Sequence, residues 1–584
     1  MNFNKVIKFT QARKRFLCVF GLVAICVGCS QQPIDIESHA FGEAKFDTFQ
    51  YSGFDETFAA PLEADQIANP ILNGFYPDPS IVRVGEDFYM VHSTFGYFPG
   101  LPVFHSKDLK HWRQLGNAID RPEQLDFEGI HMGYNGIYAP AIEYKNGTFY
   151  IITTCVGCGG NFIVTTQDPS GSWSQPIWLP DLEGIDPSIF FDDDGKTYIV
   201  HHKNPENKKY DAHTAIAVME VDPQTFAPRS DDVMLVDGDT PAPWHTEYLE
   251  GPHLYKVNGK YYLSASGGGT EFYHSYLFYR SESVFGPYEP NLSNPVLTQI
   301  DLPSDRPEPI TATGHGDIFT DINGDWWVVF LANRVYDLNK TPHGRFHTGR
   351  ETFLLPVQWN SEGWPEILSP KVSVPTRITG PNLESHPFPE NVQSGNFSYT
   401  EQFDKEELSD DWLFIRTPKE TWWNIANGSL IITTREERVG DYKQPSFIGK
   451  RLAHMHATVS TSLDFPNQRV GEEAGLLAIQ NDNNYVAFGV TINSDGKKVV
   501  QVRRRTSDIE SELGEVIAEL PLSDSGSTFK LDIVVDKGVM HFYFEEDNKA
   551  RQQLLGDLDT GFLTSQVAGG FTGAVVGMYS QTNH

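Results

Sequence analysis

The architecture of this chain is most evident in residues 184–198, Gly184-Ile-Asp-Pro-Ser-Ile-Phe-Phe-Asp-Asp-Asp-Gly-Lys-Thr-Tyr198. It reads as a short strand, a turn at Asp194-Gly195, and a second strand rich in aromatic and β-branched residues. Four similar stretches begin at Asp78, Ala139, Glu250 and His315. Asn-Gly and Asp-Gly pairs supply the positive φ angles that two-residue hairpin turns require, and the flanking residues fit a pleated sheet. The sequence therefore predicts five β-hairpins.

The spacing of the hairpins predicts how they assemble. Their turn glycines lie 48 to 65 residues apart, which leaves room for two further strands in each unit. Candidate strands fill these gaps, for example Ala215-Ile-Ala-Val-Met219 and Ser275-Tyr-Leu-Phe-Tyr279. Four-stranded units repeated around an axis form a β-propeller. We therefore predict an all-β chain that contains a five-bladed β-propeller.

Three of the units carry a carboxylic acid where the first strand begins: Asp78, Asp186 and Glu250. Because the first strand of each propeller unit lines the central channel, we expect these acids to meet at one mouth of it. One ionised and one protonated carboxyl group, held apart in pKa by a charged neighbour, are what a hydrolase needs to activate water. Turn chemistry at strand starts, where Asp accepts backbone hydrogen bonds and Pro fixes φ, is the alternative explanation of each acid.

Five motifs follow one another along the chain: Gly74-Phe-Tyr-Pro-Asp78-Pro-Ser, Gly184-Ile-Asp186-Pro-Ser, Glu250-Gly-Pro-His-Leu-Tyr-Lys, Thr313-Gly-His315-Gly-Asp and Gly349-Arg350-Glu-Thr-Phe. In residue type and order they resemble glycoside hydrolase family 43, specifically its two-domain β-xylosidase branch. The resemblance covers residues 66–584. It implies an inverting mechanism, with Asp78 as general base, Glu250 as general acid, and Asp186 as the residue that tunes the acid's pKa and orients it.

Inversion sets a geometric expectation for these acids. A water molecule must fit between base and sugar, so the acid and base carboxyl groups should lie roughly 6.5 to 9.5 Å apart rather than the roughly 5 Å of a retaining pair. Glu247 is the other candidate for the acid, but it precedes the Glu250-Gly-Pro motif by three residues. We expect Glu247 in the connecting loop and Glu250 at the site.

The resemblance also assigns secondary site residues. It implies that Arg350 donates hydrogen bonds to substrate hydroxyls near the base, which suits a fixed guanidinium fork. It places His315 on the channel axis, where it helps to bind a calcium ion through waters. A solvated surface arginine and a hydrogen-bonded core histidine are the alternatives, since calcium prefers oxygen ligands. The chemistry itself requires no cofactor.

Aromatic residues near the mouth are candidates for sugar binding. Phe95 and Tyr138 could stack on the apolar face of a pentose, although packing between blades is the commoner role of such residues. The family usually has Trp where Tyr138 stands, and this departure puts the sugar specificity in doubt.

Cys155 and Cys158 lack a second pair, which disfavours a zinc site and leaves a local disulfide or two free thiols. The run Arg503-Arg-Arg505 reads as a solvated strand edge.

The propeller is predicted to span residues 66–380 and to end where Pro and Gly interrupt the pattern after Thr376. Residues 381–584 alternate apolar and polar residues at period two, for example in Tyr485-Val-Ala-Phe-Gly-Val490. This pattern is typical of an antiparallel β-sandwich, and it resembles the concanavalin A-like C-terminal domain of the same xylosidase branch. The resemblance implies that Phe571 reaches across to close the substrate pocket, with a place in its own domain core as the alternative.

The N-terminus has the character of a targeting segment. A basic start is followed by an apolar stretch, Phe16 to Gly28, that is too short for a comfortable membrane span. It ends in Cys26-Val-Gly-Cys29-Ser, which resembles a bacterial lipobox. We therefore expect residues 1–29 to be a lipoprotein signal peptide, or else an ordinary cleaved one, and the protein to be exported to the outer membrane or periplasm. Residues 30–65 read as a flexible tether.

The formal net charge of −32 limits the partners. No basic patch with interleaved aromatics suggests nucleic acid, and the charge disfavours polyanionic substrates, so a neutral glycan fits best. We predict an exo-glycosidase that removes terminal β-D-xylosyl residues from xylo-oligosaccharides. An α-L-arabinofuranosidase acting on arabinose-containing glycans is the nearest alternative, and a non-catalytic cell-surface glycan-binding lipoprotein is an alternative of another class. The oligomeric state stays open.

Overall fold

The structure is a computed structural model that describes residues 42–341, 343–388, 392–466 and 468–583. Within these ranges the regular structure is almost entirely β, as predicted. The only helical segments described are an α-helix, Ser565–Ala568, and two 3-10 turns, Glu56–Phe58 and Gly561–Leu563. No helix in the described part is long and apolar enough to cross a membrane. The signal peptide and Cys29 lie outside the described residues.

Five antiparallel sheets follow one another along the chain and form the five predicted blades. Two strands precede them: β1 (Glu43–Gly53) and β2 (Gln66–Ala68). The first blade comprises β3 (Ser80–Val84), β4 (Asp87–Val91), β6 (Gly100–Ser106) and β7 (Arg113–Ile119), and β5 (Tyr97–Phe98) lies between β4 and β6 in sequence. The second blade comprises β8 (Gly136–Ile137), β9 (Ala141–Lys145), β10 (Thr148–Val156), β11 (Gly160–Thr166) and β12 (Ile177–Trp178).

The remaining three blades have four strands each. The third blade comprises β13 (Ser188–Phe191), β14 (Thr197–Lys203), β15 (Ala215–Val221) and β16 (Val233–Asp237). The fourth comprises β17 (Glu250–Val257), β18 (Lys260–Gly267), β19 (Ser275–Ser281) and β20 (Glu289–Pro290). The fifth comprises β21 (Ile310–Thr320), β22 (Trp326–Arg334), β23 (Glu351–Trp359) and β24 (Pro365–Glu366). Each first strand contacts the first strand of the next blade, and β21 contacts β3, so the ring is closed. β25 (Arg377–Thr379) pairs with β2 and joins the two ends of the propeller.

All five predicted hairpins form, but their turns differ. Three are the expected two-residue turns: Gly85-Glu86, Asn146-Gly147 and Asn258-Gly259. At Asp194-Gly195 and Asn323-Gly324 the loops are longer, and only the glycine has a positive φ, 85° and 87° respectively. In these loops the side chains of Asp192 and Asp321 accept backbone N–H groups. Such local hydrogen bonds stabilise a wider turn, so the two-residue prediction is wrong there.

The C-terminal domain is the predicted sandwich of two antiparallel sheets. Its own strands are β26 (Ser398–Glu401), β27 (Leu413–Ile415), β28 (Trp423–Ala426), β29 (Ser429–Thr433), β30 (Phe447–Arg451), β31 (His456–Asp464), β32 (Glu472–Asn481), β33 (Asn484–Ile492), β34 (Lys498–Arg505), β35 (Glu515–Pro521), β36 (Thr528–Asp536), β37 (Val539–Glu546), β38 (Gln552–Asp559) and β39 (Val575–Thr582). One sheet has the order β28-β29-β1-β31-β36-β37-β38, with β26 beside β1; the other has the order β35-β34-β33-β32-β39-β30-β27-β5. The rings of Phe488 and Phe542 meet between the sheets at 5.4 Å.

The N-terminal part of the sandwich corrects the predicted tether. From Glu43 to Gly53 the chain is strand β1, which lies inside the first sheet between β29 and β31. Its Ala44, Phe46, Phe49 and Tyr51 are buried. These residues alternate with polar ones apart from a bulge after Phe46, and period-two alternation is the signature of a half-buried strand. The prediction of a flexible segment over residues 30–65 is therefore wrong from Glu43 onward.

The sandwich also holds a propeller loop. β5, in the loop between β4 and β6, pairs with β27 of the second sheet. A buried ion pair, Arg416 to Asp482 at 2.7 Å, lies in the sandwich, and Arg416 Nε donates to the carbonyl of Ile130 at 3.0 Å. The amide of Met132 donates to Asp482 at 2.9 Å. The loop around residues 130–138 is therefore held by groups of the other domain.

The run Arg503-Arg-Arg505 is not a solvated edge. β34 lies between β33 and β35, and Arg503 and Arg505 are each only 3% exposed. Arg503 pairs with the buried Glu473 at 2.6 Å. The two buried arginines are two residues apart and therefore point to the same face of the strand. Glu473 neutralises Arg503, whereas Arg505 donates to backbone carbonyls, including that of Asp482 at 2.9 Å, so both buried guanidinium groups have partners.

Candidate active site

The predicted acids lie where the first strands of three blades begin. Asp78 and Asp186 directly precede the Pro residues that lead into β3 and β13, and Glu250 is the first residue of β17. Because first strands run in the same direction around a propeller, their starts share one mouth of the channel. Asp78 and Asp186 adopt the same left-handed backbone conformation, with φ of 53° and 51°. Such conformations are costly for residues other than glycine and cluster at functional sites.

Asp78 lies in a cationic and hydrogen-bonded setting. Its carboxylate accepts hydrogen bonds from Arg350 Nη1 at 2.9 Å and from Ser93 Oγ at 2.5 Å, and it is 4% exposed. Burial acts to raise the pKa of Asp78, but the Arg350 guanidinium, the nearby His315 and the Ser93 hydroxyl outweigh it and lower the pKa below its usual value. His315 is itself neutral above about pH 4, because burial lowers its pKa to about 4. Arg350 is therefore the cation that keeps Asp78 ionised.

Asp186 and Glu250 lie in the opposite setting. Burial, with the charge of Asp78, raises the pKa of Asp186 to about 7. Burial, followed by the charges of Asp186 and Asp78, raises the pKa of Glu250 well above its usual value. The one hydrogen bond described for the Asp186 carboxylate comes from the amide of Gly251, at 3.2 Å. The structure thus brings the three acids together: Asp78 is ionised, Glu250 holds its proton, and Asp186 titrates near neutral pH.

Aromatic rings cluster around Arg350, the residue that contacts Asp78. The ring of Phe95 lies 5.2 Å from that of Tyr138 and 5.6 Å from that of Phe571. The guanidinium of Arg350 lies 5.8 Å from the Phe95 ring and 5.7 Å from the Phe571 ring. Cations at this range over aromatic faces are attracted to the ring quadrupole. Four of the predicted secondary residues, Arg350, Phe95, Tyr138 and Phe571, therefore form one cluster.

Phe571 reaches this cluster from the sandwich. Its amide donates to the carbonyl of Gly133, a propeller residue, at 2.9 Å. Gly570 has φ of 78°, and a Cβ there would lie 2.5 Å from the Gly133 oxygen, so only glycine permits this close approach. The loop that carries Phe571 is therefore docked on the propeller, and the second domain supplies one ring of the aromatic cluster around Arg350.

Comparison with known proteins identifies this arrangement. Residues 67–365 match the model of glycosyl hydrolases family 43, and residues 400–584 match the β-xylosidase C-terminal concanavalin A-like domain. The chain belongs to glycoside hydrolase family 43. The resemblance to the two-domain β-xylosidase branch of the family is thereby confirmed.

Relatives of this family 43 hydrolase align over most of its length. A non-reducing end α-L-arabinofuranosidase of Bacteroides ovatus is 37% identical over 88% of this chain and 91% of its own. A xylosidase/arabinosidase of Butyrivibrio fibrisolvens is 36% identical over 88% of this chain and 96% of its own. The crystal structure of a GH43_12 protein retrieved from a capybara gut metagenome superposes with a TM-score of 0.84, at 35% identity, over 93% of this chain and all of that one.

His315 lies at the site, but its surroundings do not provide a calcium cage. Its Nδ1 lies 3.5 Å from Asp78 Oδ1, and its ring fills the space beside Gly251, where a Cβ would lie 2.8 Å from Nε2. Within the described residues no group of three or more His, Cys, Asp or Glu side chains could hold a metal ion. Calcium takes six to eight oxygen ligands, so these side chains do not fit a directly coordinated ion. Calcium bound through waters stays a prediction.

Two further sequence expectations are resolved near the mouth. Glu247 lies in the loop before β17 and pairs with His245 at 2.6 Å, so it is separate from the three acids.

Cys155 and Cys158 form a disulfide, with Cα atoms 5.2 Å apart. The disulfide joins the end of β10 to the turn before β11, and β10 pairs with β8 at Cys155. Tyr138 follows β8, and its amide donates to Thr154 at 2.9 Å.

His274, which no sequence motif indicated as a site residue, lies against the predicted acid Glu250. Its Nε2 is 3.9 Å from Glu250 Oε1, and its Nδ1 lies 3.2 Å from the carbonyl of Ala312. A carbonyl only accepts, so Nδ1 carries the proton and Nε2 presents a lone pair. Burial lowers the pKa of His274 to about 3, so the ring is neutral at physiological pH. A neutral acceptor beside Glu250 favours its protonated form. Ser93, the hydroxyl donor to Asp78, begins a stretch that resembles the family but was not predicted to be a site residue, whereas His274 belongs to no motif with a sequence signal.

Proposed function

We propose that this protein is an inverting exo-glycosidase that hydrolyses terminal β-D-xylosyl residues from xylo-oligosaccharides. The observation that carries the proposal is the opposite electrostatic setting of two carboxyl groups in one pocket. Asp78 contacts a guanidinium and is ionised, whereas Glu250 lies among carboxylates and a neutral imidazole and holds its proton. Pairs whose surroundings separate their pKa values in this way divide into base and acid.

Each group then has a role in a single displacement. Asp78 accepts a proton from a water molecule whose oxygen attacks the anomeric carbon. Glu250 donates its proton to the glycosidic oxygen as that bond breaks, so the leaving sugar departs as an alcohol. Asp186 raises the pKa of Glu250 through its charge. Attack and departure on opposite faces of the sugar invert the anomeric centre, which requires the acid–base separation of roughly 6.5 to 9.5 Å.

Recognition of the terminal sugar is assigned to the cluster around Arg350. Its Nε is buried without a hydrogen-bond partner among the described residues, so a substrate hydroxyl can accept from it. Buried donors normally find partners, and one left open in a pocket supports a ligand contact. The rings of Phe95, Tyr138 and Phe571 pack together beside this guanidinium, and we infer that they close this end of the sugar site. A closed end supports attack on terminal residues rather than on internal linkages.

α-L-Arabinofuranose is the second candidate, because one relative is named a non-reducing end α-L-arabinofuranosidase and another a xylosidase/arabinosidase. Rates of release from the nitrophenyl β-D-xylopyranoside and α-L-arabinofuranoside distinguish the two. Proton NMR of xylobiose hydrolysis tests the mechanism, since inversion releases α-xylose first. Release of β-xylose as the first product would contradict the proposed roles of Asp78 and Glu250.

We also propose that the protein is exported and anchored by a lipid on Cys29. The basic start, the apolar stretch to Gly28 and the lipobox-like Cys29 support this. The disulfide Cys155–Cys158 adds support, because disulfides persist in oxidising compartments. Labelling of the expressed protein with radioactive palmitate, lost on Cys29→Ala, is the test. Palmitate-free wild-type protein in the culture medium would contradict anchoring.

A further inference from the structure

A cavity separate from the candidate active site lies where the propeller meets the sandwich. Its volume is about 320 Å³, and its lining includes Asn73 and Tyr76 from the propeller and Lys450 and Arg451 from the sandwich. None of the three acids lines it, and neither does Arg350. Pockets that bind small molecules commonly lie at domain interfaces and have volumes of about 300 Å³ or more. The cavity is therefore large enough for a molecule of monosaccharide size.

The charge of this cavity is opposite to that of the chain. Its described charged residues are three cations, Lys405, Lys450 and Arg451, and two carboxylates, Glu401 and Asp411. The lining is thus net positive, although the chain has a formal charge of −32. Lys405 is exposed, so the cavity reaches solvent, whereas Lys450 and Arg451 are only 8% and 7% exposed. Charges at such depth normally have partners.

Only one of the two buried cations is neutralised by a described carboxylate. Lys450 Nζ lies 2.7 Å from Asp411 Oδ2. Arg451 forms no ion pair with a described carboxylate: its Nε donates to the carbonyl of Phe75 at 2.6 Å, and its guanidinium lies 4.2 Å from the ring of Tyr76. Arg451 Nη2 makes no hydrogen bond to a described residue. A guanidinium in this state is suited to bind a carboxylate.

A buried acceptor without a partner lines the same cavity. Asn73 is 1% exposed, and its Nδ2 donates to the carbonyl of Gly395 at 3.1 Å. Its Oδ1 has no hydrogen-bond partner among the described residues. Because buried acceptors are almost always hydrogen-bonded, this oxygen indicates that a bound molecule supplies a donor. An ionised carboxylate has no donor, whereas a hydroxyl group has one.

We propose that this cavity binds a sugar acid, a molecule that combines one carboxylate with several hydroxyl groups. The carboxylate accepts hydrogen bonds from Arg451 and Lys450, and a hydroxyl group donates to Asn73 Oδ1. Such a ligand contacts both domains at once. The proposal does not depend on the proposed glycosidase function, because the residues that bind the ligand are not those assigned to the reaction.

The test compares ligands that carry one or both of these features. Isothermal titration of the full chain at neutral pH uses D-glucuronate, D-glucose, acetate and inorganic phosphate as probes. Glucose has the hydroxyl groups without the charge, acetate has the charge without the hydroxyl groups, and phosphate is an anion without a sugar ring. We expect glucuronate to bind at least about tenfold more tightly than each of the other three, since each of them loses part of the hydrogen bonding.

Variants locate the bound glucuronate. Arg451→Lys keeps the charge but not the guanidinium fork, and it should weaken binding at least about tenfold. Lys405→Met changes only an exposed residue of the lining and should weaken binding about twofold to fivefold. Arg350→Met, in the candidate active site, should leave binding unchanged. Arg551→Lys is the matched control, because the Arg551 guanidinium also lies over a tyrosine ring, that of Tyr543 at 4.0 Å, in the sandwich but outside the cavity.

Several results would overturn the sugar-acid site. Absence of glucuronate binding would do so, as would glucuronate binding no tighter than that of glucose, acetate or phosphate. Unchanged affinity in both Arg451→Lys and Lys405→Met would show that the ligand binds elsewhere, and loss of binding in Arg350→Met would place it in the active site. Melting temperatures of all variants show whether they are folded. Each of these results leaves the proposed hydrolysis of xylosides standing, since that activity is measured separately on xylobiose.

Discussion

The two sides of the pocket differ in what contacts their carboxyl groups. On one side a buried guanidinium and a hydroxyl donate to Asp78. On the other side Glu250 lies 3.9 Å from a neutral histidine, and the largest charge effects on its pKa come from the carboxylates of Asp186 and Asp78. Both sides are built from the same kind of element, the start of a propeller's first strand. Equivalent positions in a repeated fold therefore acquire opposite protonation states from their neighbours alone.

The aromatic residues divide in the same way. Phe95 and Phe571 are packed against each other and against Arg350 on the base side. Tyr248 and Tyr273, in the loops that precede β17 and β19, are nearly half exposed. The predictions below test whether the two sides are functionally as different as their contacts.

The largest effect should come from removing either proposed catalytic group. We expect Asp78→Asn to lower kcat/KM about 10² to 10⁴-fold on both xylobiose and β-D-xylosyl fluoride, because both need the base. Glu250→Ala should lose a similar factor on xylobiose but far less on the fluoride, since fluoride departs with little help from an acid. Steady-state kinetics on both substrates measure the difference. Matching losses in the Glu250→Ala variant would remove the distinction between the two sides.

Removing the Arg350 guanidinium should raise the pKa of Asp78, so that this carboxyl group becomes more like that of Glu250. In Arg350→Met the pKa of Asp78 rises, because burial is no longer offset by the guanidinium. The base must be ionised, so the acidic limb of the kcat/KM profile moves to higher pH, with a loss of about 10²-fold at neutral pH. Arg350→Lys is the control: it retains the charge but not the fork, so its acidic limb should stay close to that of the wild type. An unmoved limb in Arg350→Met would show that Arg350 serves only substrate binding.

A smaller effect is expected on the acid side. Asp186→Asn removes a carboxylate whose charge raises the pKa of Glu250. Glu250 must be protonated to act, so the alkaline limb of kcat/KM should move to lower pH by about one unit, while the acidic limb moves little. The pH profile of xylobiose hydrolysis measures both limbs. A shift of the alkaline limb to higher pH would contradict the assigned influence of Asp186.

The smallest effect on activity is expected from removing the ring of Phe571. Phe571→Ala should lower kcat/KM on xylobiose by less than about tenfold, since it removes ring contacts of modest energy and touches neither acid. Both limbs of the pH profile should stay in place. Val567→Ala is a matched control, because Val567 is 55% exposed in the helix that precedes the same loop. A displaced alkaline limb in Phe571→Ala would mean that the sandwich also sets the acid's pKa.

The parts of the fold that were predictable from sequence are those fixed by local chemistry and repetition. Asn-Gly turns specify hairpins, and five similar hairpins specify a propeller. The same repetition placed Asp78, Asp186 and Glu250 together, because equivalent positions converge on the axis. The length of the turns at Asp194 and Asn323 was not predictable in this way, because side chains of neighbouring aspartates stabilise wider loops.

What could not be predicted depends on partners far away in the chain. His274 has no motif, and its role follows only from its distance to Glu250 and its bond to Ala312. The burial of Arg503 depends on Glu473 in another strand. Strand β1 did carry an alternating pattern, but the charged residues within it suggested a tether. Its partners, such as β26, are needed to show that the pattern is buried.

The position of β1 also affects how the chain can fold during synthesis. Ser52 in β1 and Ser398 in β26 are bonded partners that lie 346 residues apart. A ribosome that adds about 5 to 20 residues per second therefore takes tens of seconds to deliver the missing strands. Throughout that interval β1 has no sheet to join, and Glu43, Lys45 and Asp47 supply charges that discourage premature pairing with another nascent copy. The propeller can complete its ring first, and β1, the first of these strands to be synthesised, can then pair with the later strands β26, β29 and β31.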